Sequence, residues 1–113
     1  MSETATKIQH VGNDDFEREV VASPLPVIVD FYATWCPPCQ MLSPVLESVA
    51  AKYQGRVRVV KCDTERDAEI SESYSVSKIP NVMFFKNGEV VDQIVGYMTD
   101  TQLSAKIEEM IRS

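Results

Sequence analysis

The stretch PVIVDFYA, residues 26–33, constrains the chain more than any other. It is β-branched and aromatic and nearly continuous in apolar side chains, the pattern of a strand covered on both faces. One polar residue, Asp30, interrupts it. From Cys36 the period changes. Met41, Leu42, Val45, Leu46, Val49, Ala50 and Tyr53 recur at helical spacing as far as Gly55, a natural stop. Pro44 falls inside that helix and has no N–H for the carbonyl of Gln40, so a kink is expected there.

The remaining segments extend the alternation. RVRVVKC, residues 56–62, reads as a second interior strand. GNDDFEREVV reads as a short helix capped by Asn13 or Asp14, with Phe16, Val20 and Val21 on one face. ERDAEISESY predicts another short helix with Ile70 and Tyr74 inward. NVMFF, the turn KNGE and VVDQIVG predict a hairpin in which Asn87 and Gly88 supply positive φ. TDTQLSAKIEEMI opens with a capping box, Thr99 to Gln102, and carries a stripe of Leu103, Ile107, Met110 and Ile111. KIQHV adds a weak first strand. The expectation is one α/β domain, residues 1–113, with a central mixed five-stranded sheet flanked by four helices. In such sheets active groups gather beyond the carboxyl ends of parallel strands. Cys36 follows the central strand at that end.

Charge and composition narrow the function. The 17 acidic and 11 basic residues give a net charge of -6, with no basic stripe for nucleic acid. No apolar run approaches the roughly 20 residues of a membrane span. The opening MSETATKIQH is polar and lacks the apolar centre of a secretory signal. The expected location is the cytoplasm, where thiols are kept reduced. Three cysteines, Cys36, Cys39 and Cys62, do not make a disulfide framework.

Two of them sit in TWCPPCQ, residues 34–40. At a helix start Cys36 is the N-cap, Pro37 and Pro38 occupy the first two helical positions, and Cys39 the third. Proline is tolerated there because those N–H groups have no helical partner. Pro38 offers no N–H, so the Cys39 amide is the remaining backbone donor for the Cys36 sulfur. That amide and the helix dipole both favour thiolate, which is the nucleophile. Cys39, one turn in, is expected to be the more covered. A zinc reading needs two further ligands, and the chain offers only Cys62, His10 and carboxylates. Beside a βαβ pattern the pair favours redox chemistry.

VDFYATWCPPCQMLSPVLE resembles the active-site segment of the thioredoxin family, and SKIPNVMFFKNGEVVDQIVG resembles that family's segment around an Ile–cis-Pro pair. The likeness runs over nearly the whole chain in the same element order. It implies the thioredoxin fold and a thiol–disulfide oxidoreductase that reduces protein disulfides, as a monomer. Cys36 would be the attacking thiol and Cys39 the resolving one. Asp30 matches a buried carboxylate that moves protons for the resolving cysteine, and Lys61 matches its partner. Trp35, Ile79, Pro80, Val95, Gly96 and Tyr97 match the surface that receives substrate backbone, with Pro80 cis. No cofactor is bound in this picture beyond the reversible Cys36–Cys39 disulfide. Electrons come from NADPH through a partner, thioredoxin reductase. Pro37 stands where most members have glycine, and Tyr32 where many have a second tryptophan. The loss of one possible amide donor at Pro37 predicts a reducing potential near about -270 mV instead of the roughly -180 mV of an isomerase.

Other readings of the same residues are an oxidase or isomerase of this fold, and a binding module switched by redox state. Asp30 could also serve simply as an ion-pair partner of Lys61. Cys62 lies on the strand face opposite Lys61 and is expected to be a small buried hydrophobe. Gly96 is a bulge or leaves room for substrate. His10 is assigned no role.

Overall fold

The computed structural model describes residues 8–113; the polar opening segment, and Lys7 of the expected first strand, lie outside them. The strands are β1 (Gln9–His10), β2 (Val27–Tyr32), β3 (Arg58–Asp63), β4 (Asn81–Lys86) and β5 (Glu89–Val95). The helices are α1 (Pro37–Lys52), α2 (Ala68–Ser73) and α3 (Asp100–Arg112), with a short π-helical turn at Glu17–Val21. The sheet order is β1-β3-β2-β4-β5. The first three strands are parallel; β4 and β5 run antiparallel. The mixed sheet and four helical segments match the expectation.

Burial on both faces explains the run that opens β2. Val27, Val29 and Phe31 point to one side, where Phe16, Val20, Val60, Met83 and Phe85 pack. Ile28 points to the other, into Leu42, Leu46, Val49, Phe84, Leu103 and Ile107. A fully buried aliphatic or aromatic side chain stabilises by about 1.5–3 kcal/mol, so β2 is held from both directions. Asp30 shares the Ile28 face and is fully buried.

Several local expectations need correction. Neither Asn13 nor Asp14 caps the first helical segment. Phe16 precedes it with no side-chain cap, Asp15 Oδ1 accepts from the Gly12 N–H, and Asn13 Oδ1 accepts from the Ile70 N–H. Asn13 therefore ties the loop to α2 instead of starting its own helix. β3 begins at Arg58, because Arg56 and Val57 bond back to the Tyr53 carbonyl and close α1. Met41 is exposed, one position round from the Leu42 stripe that meets the sheet. Pro44 lies inside α1, as expected. The bulge lies between Phe84 and Phe85, where Val91 is the unpaired residue of β5, and not at Gly96. The hairpin turn is as read, with Asn87 at φ 55° and Gly88 at φ 81°. The Thr99–Gln102 capping box is present in both directions.

Candidate active site

The site forms where β2 ends and α1 begins. Cys36 caps α1, and the Cys39 N–H donates to Cys36 Sγ at 3.3 Å. Proline fills the two positions between, so among the backbone amides of this turn Cys39 supplies the donor. The helix start thus aims a positive potential at one sulfur. Cys36 and Cys39 are joined as a disulfide with a Cα–Cα separation of 5.2 Å. Both residues are 3% exposed, so Cys39 is not the more covered of the two. In the bonded state each sulfur shields the other, and Ala33, Tyr32 and Ile79 pack around the pair.

The Ile79–Pro80 peptide is cis, as the resemblance implied. β4 starts at Asn81 opposite Phe31, which brings this segment beside the end of β2. The Gly96 N–H donates to the Pro80 carbonyl at 2.8 Å and so pins the end of β5 to the same place. Gly96 has φ 101°, a conformation that side chains disfavour, which explains glycine there. Trp35, Val95 and Tyr97 are exposed, Ile79 is half-buried, and Pro80 is buried. Pro80 therefore offers little surface of its own. Pro37 and Pro38 are exposed at the tip.

Asp30 lies on β2, the strand that leads to Cys36, on the face that α1 covers. Neither carboxylate oxygen has a hydrogen-bond partner among the described residues. Burial pushes its carboxyl up to about 7, against the opposing pull of the Lys61 ammonium. Lys61 is its register partner on β3. The ammonium does not pair with the carboxylate; its hydrogen bond goes to Ser43 Oγ, 3.4 Å away. The simple ion-pair reading of Asp30 is thereby set aside. Cys62 is fully buried on the other face, and burial pushes its thiol up to about 12, so it stays protonated and inert.

Sequence reasoning missed Glu65. Its Oε2 accepts from the Trp35 indole N–H at 2.6 Å and orients the exposed ring. The two residues are 30 positions apart, and no local pattern links them. It also missed the contact between Tyr32 and His10, whose Oη and Nδ1 lie 3.2 Å apart. A cleft of about 290 Å³ opens beside Cys39, while a larger groove of about 570 Å³ between β5 and α3 holds no cysteine. Chemistry, not size, marks the site. Among the described residues no cluster of three metal-ligating side chains occurs, and no helix is long and apolar enough to cross a membrane.

A helix-capping dithiol facing a cis-proline segment is decided by comparison with known proteins. The family model described as Thioredoxin matches residues 7–109. The chain belongs to the thioredoxin family. It is 40% identical over 99 residues to Thioredoxin 1 of Nostoc sp., covering 88% of this chain and 92% of that one. It is 44% identical over 97 residues to the mitochondrial thioredoxin of Bos taurus, covering 86% of this chain and 58% of that one. It is 36% identical over 109 residues to the chloroplastic M-type thioredoxin of Pisum sativum, covering 96% of this chain and 63% of that one. As a thioredoxin-family member it is a thiol–disulfide oxidoreductase and a dithiol redox carrier, and Cys36–Cys39 is its CxxC pair.

Proposed function

We propose that this chain reduces disulfides in other proteins, with Cys36 as nucleophile and Cys39 as resolving thiol. The Cys36 thiolate attacks one sulfur of a substrate disulfide. That S–S bond breaks, a mixed disulfide forms, and one substrate thiolate leaves and takes a proton. Cys39 gives its proton to Asp30 and attacks Cys36 Sγ. The mixed disulfide breaks, the second substrate thiolate leaves, and the Cys36–Cys39 disulfide remains. Two electrons have passed to the substrate. A carboxyl that titrates at about 7 is suited to hold the proton near neutral pH.

The observation that carries this reading is the Cys39 amide aimed at Cys36 Sγ on a helix N-terminus, with no N–H from the two prolines between. Trp35, Ile79, Val95, Gly96 and Tyr97 would receive the substrate chain, with Pro80 shaping the platform; their exposure around the dithiol supports this for Trp35, Val95 and Tyr97. Restoring the dithiol requires a two-electron donor, which we take to be a thioredoxin reductase drawing on NADPH. A monomer in a reducing compartment, the cytoplasm, is the setting in which this direction of flow operates.

Insulin reduction with NADPH and thioredoxin reductase tests the proposal. The parent should turn over and Cys36→Ser should be inactive. Cys39→Ser should stop turning over and accumulate covalent mixed disulfides with substrate, seen by mass spectrometry and reversed by dithiothreitol. Noncovalent retention of partners by Cys39→Ser, with no trapped disulfide, would instead identify a redox-switched binding module.

A further inference from the structure

The cleft beside Cys39 contains contacts that the mechanism above leaves unused. Lys61 Nζ lies over the face of the Tyr32 ring, 4.5 Å from its centre, with Ser43 Oγ at 3.4 Å. The ring is fixed at its far end, where Tyr32 Oη meets His10 Nδ1 at 3.2 Å and the two rings meet edge to face at 5.8 Å. Tyr32, Cys39, Ser43 and Lys61 all line this cleft. Asp30 is two residues before Tyr32 on β2, so their side chains share a face. The charge that acts on Asp30 is therefore held by a ring and a hydroxyl, and not by Asp30 itself. A lysine free to sample solvent would act on the carboxylate through a longer distance and a higher dielectric. A cation over an aromatic face is restrained from that excursion.

We propose that Tyr32 is a positioning residue: its ring, tethered to His10, joins the Ser43 hydroxyl in seating the Lys61 ammonium in the Cys39 cleft beside Asp30. The inference rests on Asp30 serving as the proton carrier. In the reduced chain used for the test, the Cys39 thiol shares this cleft and titrates beside the seat. Asp63, Arg66 and Cys62 act on Tyr32, and Arg66, Asp63 and Asp67 act on His10. Lys61 is the charge that pulls Asp30 downward, so loss of the seat moves Asp30 in the direction of easier protonation.

The test is a double-mutant cycle in the reduced full chain, with the Asp30 carboxyl followed by ¹³C NMR across pH. Tyr32→Leu keeps apolar volume and removes the ring. Its Asp30 midpoint should rise by roughly half a pH unit, and Lys61→Met should raise it further. In the Lys61→Met background Tyr32→Leu should add no shift, a result that a merely structural tyrosine would not give. Tyr32→Phe and Tyr32→Trp keep a ring under the ammonium but lose the Oη contact to His10, and should raise the midpoint by less than Tyr32→Leu does. They also carry the test if the leucine variant does not fold. Equal shifts with and without Lys61, or a Phe variant that behaves like Leu, would overturn the positioning role. No shift with Lys61→Met would overturn the electrostatic link itself and the seat with it. An Asp30→Asn variant whose Cys39 attack is unslowed would remove the proton-carrier reading beneath both.

Discussion

A buried carboxylate without a hydrogen bond is costly, and Asp30 carries that cost. Its folded-state carboxyl is raised from 3.8 to about 7. Below about pH 4 the group is neutral folded or unfolded and imposes no charge penalty. As pH rises from about 4 to about 7 the unfolded chain ionises first, so stability falls, and above about 7 it levels off. The loss should be on the order of 4 kcal/mol. Asp30→Asn should abolish this fall and be the more stable protein at pH 8. Urea unfolding of the oxidised protein at pH 4, 6 and 8 measures it; parallel pH profiles for parent and variant would contradict the assignment. Asp30 stood out in the sequence as a lone charge inside a covered strand, while its proton-carrying role came from the family resemblance, since an ion pair with Lys61 explained the charge equally well. The Tyr32–His10 and Trp35–Glu65 contacts were not legible, since each joins residues 22 or 30 positions apart on surfaces that only folding brings together.

Elements whose ends are set by local chemistry were the readable ones. The proline-filled opening of α1, the Asn87–Gly88 turn and the Thr99–Gln102 box each follow from backbone rules acting within four residues. The first helical segment was misread in its cap because tertiary packing decides it. Phe16 and Val20 hold it to the sheet, and Phe16 lies 6.2 Å from Phe31, 5.7 Å from Phe85 and 5.3 Å from Tyr74 between ring centres. Its loss leaves a cavity among three rings. Phe16→Ala should cost about 3–5 kcal/mol in urea unfolding, with insulin reduction intact while the protein stays folded. A loss under 1 kcal/mol would show that the turn is held by something other than this ring.

Across the whole molecule the alternation of elements made the layered sheet legible, whereas the strand order β1-β3-β2-β4-β5 depends on long-range pairing and was not read from the sequence. Two cores, one on each face of the sheet, hold the fold without Cys36 or Cys39, while Cys62 packs inside one of them as a free thiol. The Cys36–Cys39 bond closes a loop of four residues, so its entropic contribution is small, about 2 kcal/mol. Reduction should therefore leave the protein folded and lower its unfolding free energy by roughly that amount. Unfolding on reduction would mean that the disulfide is structural and not a carrier of electrons. Disulfide reduction by this protein turns on the reactivity of one sulfur, and alkylation of the reduced protein at pH 7 reads it directly. With iodoacetamide and peptide mapping, Cys36 should react first and roughly tenfold faster than a small free thiol, with Cys39 slow and Cys62 unlabelled in the folded state. A Cys36 no faster than glutathione, or labelling that begins at Cys39, would contradict it.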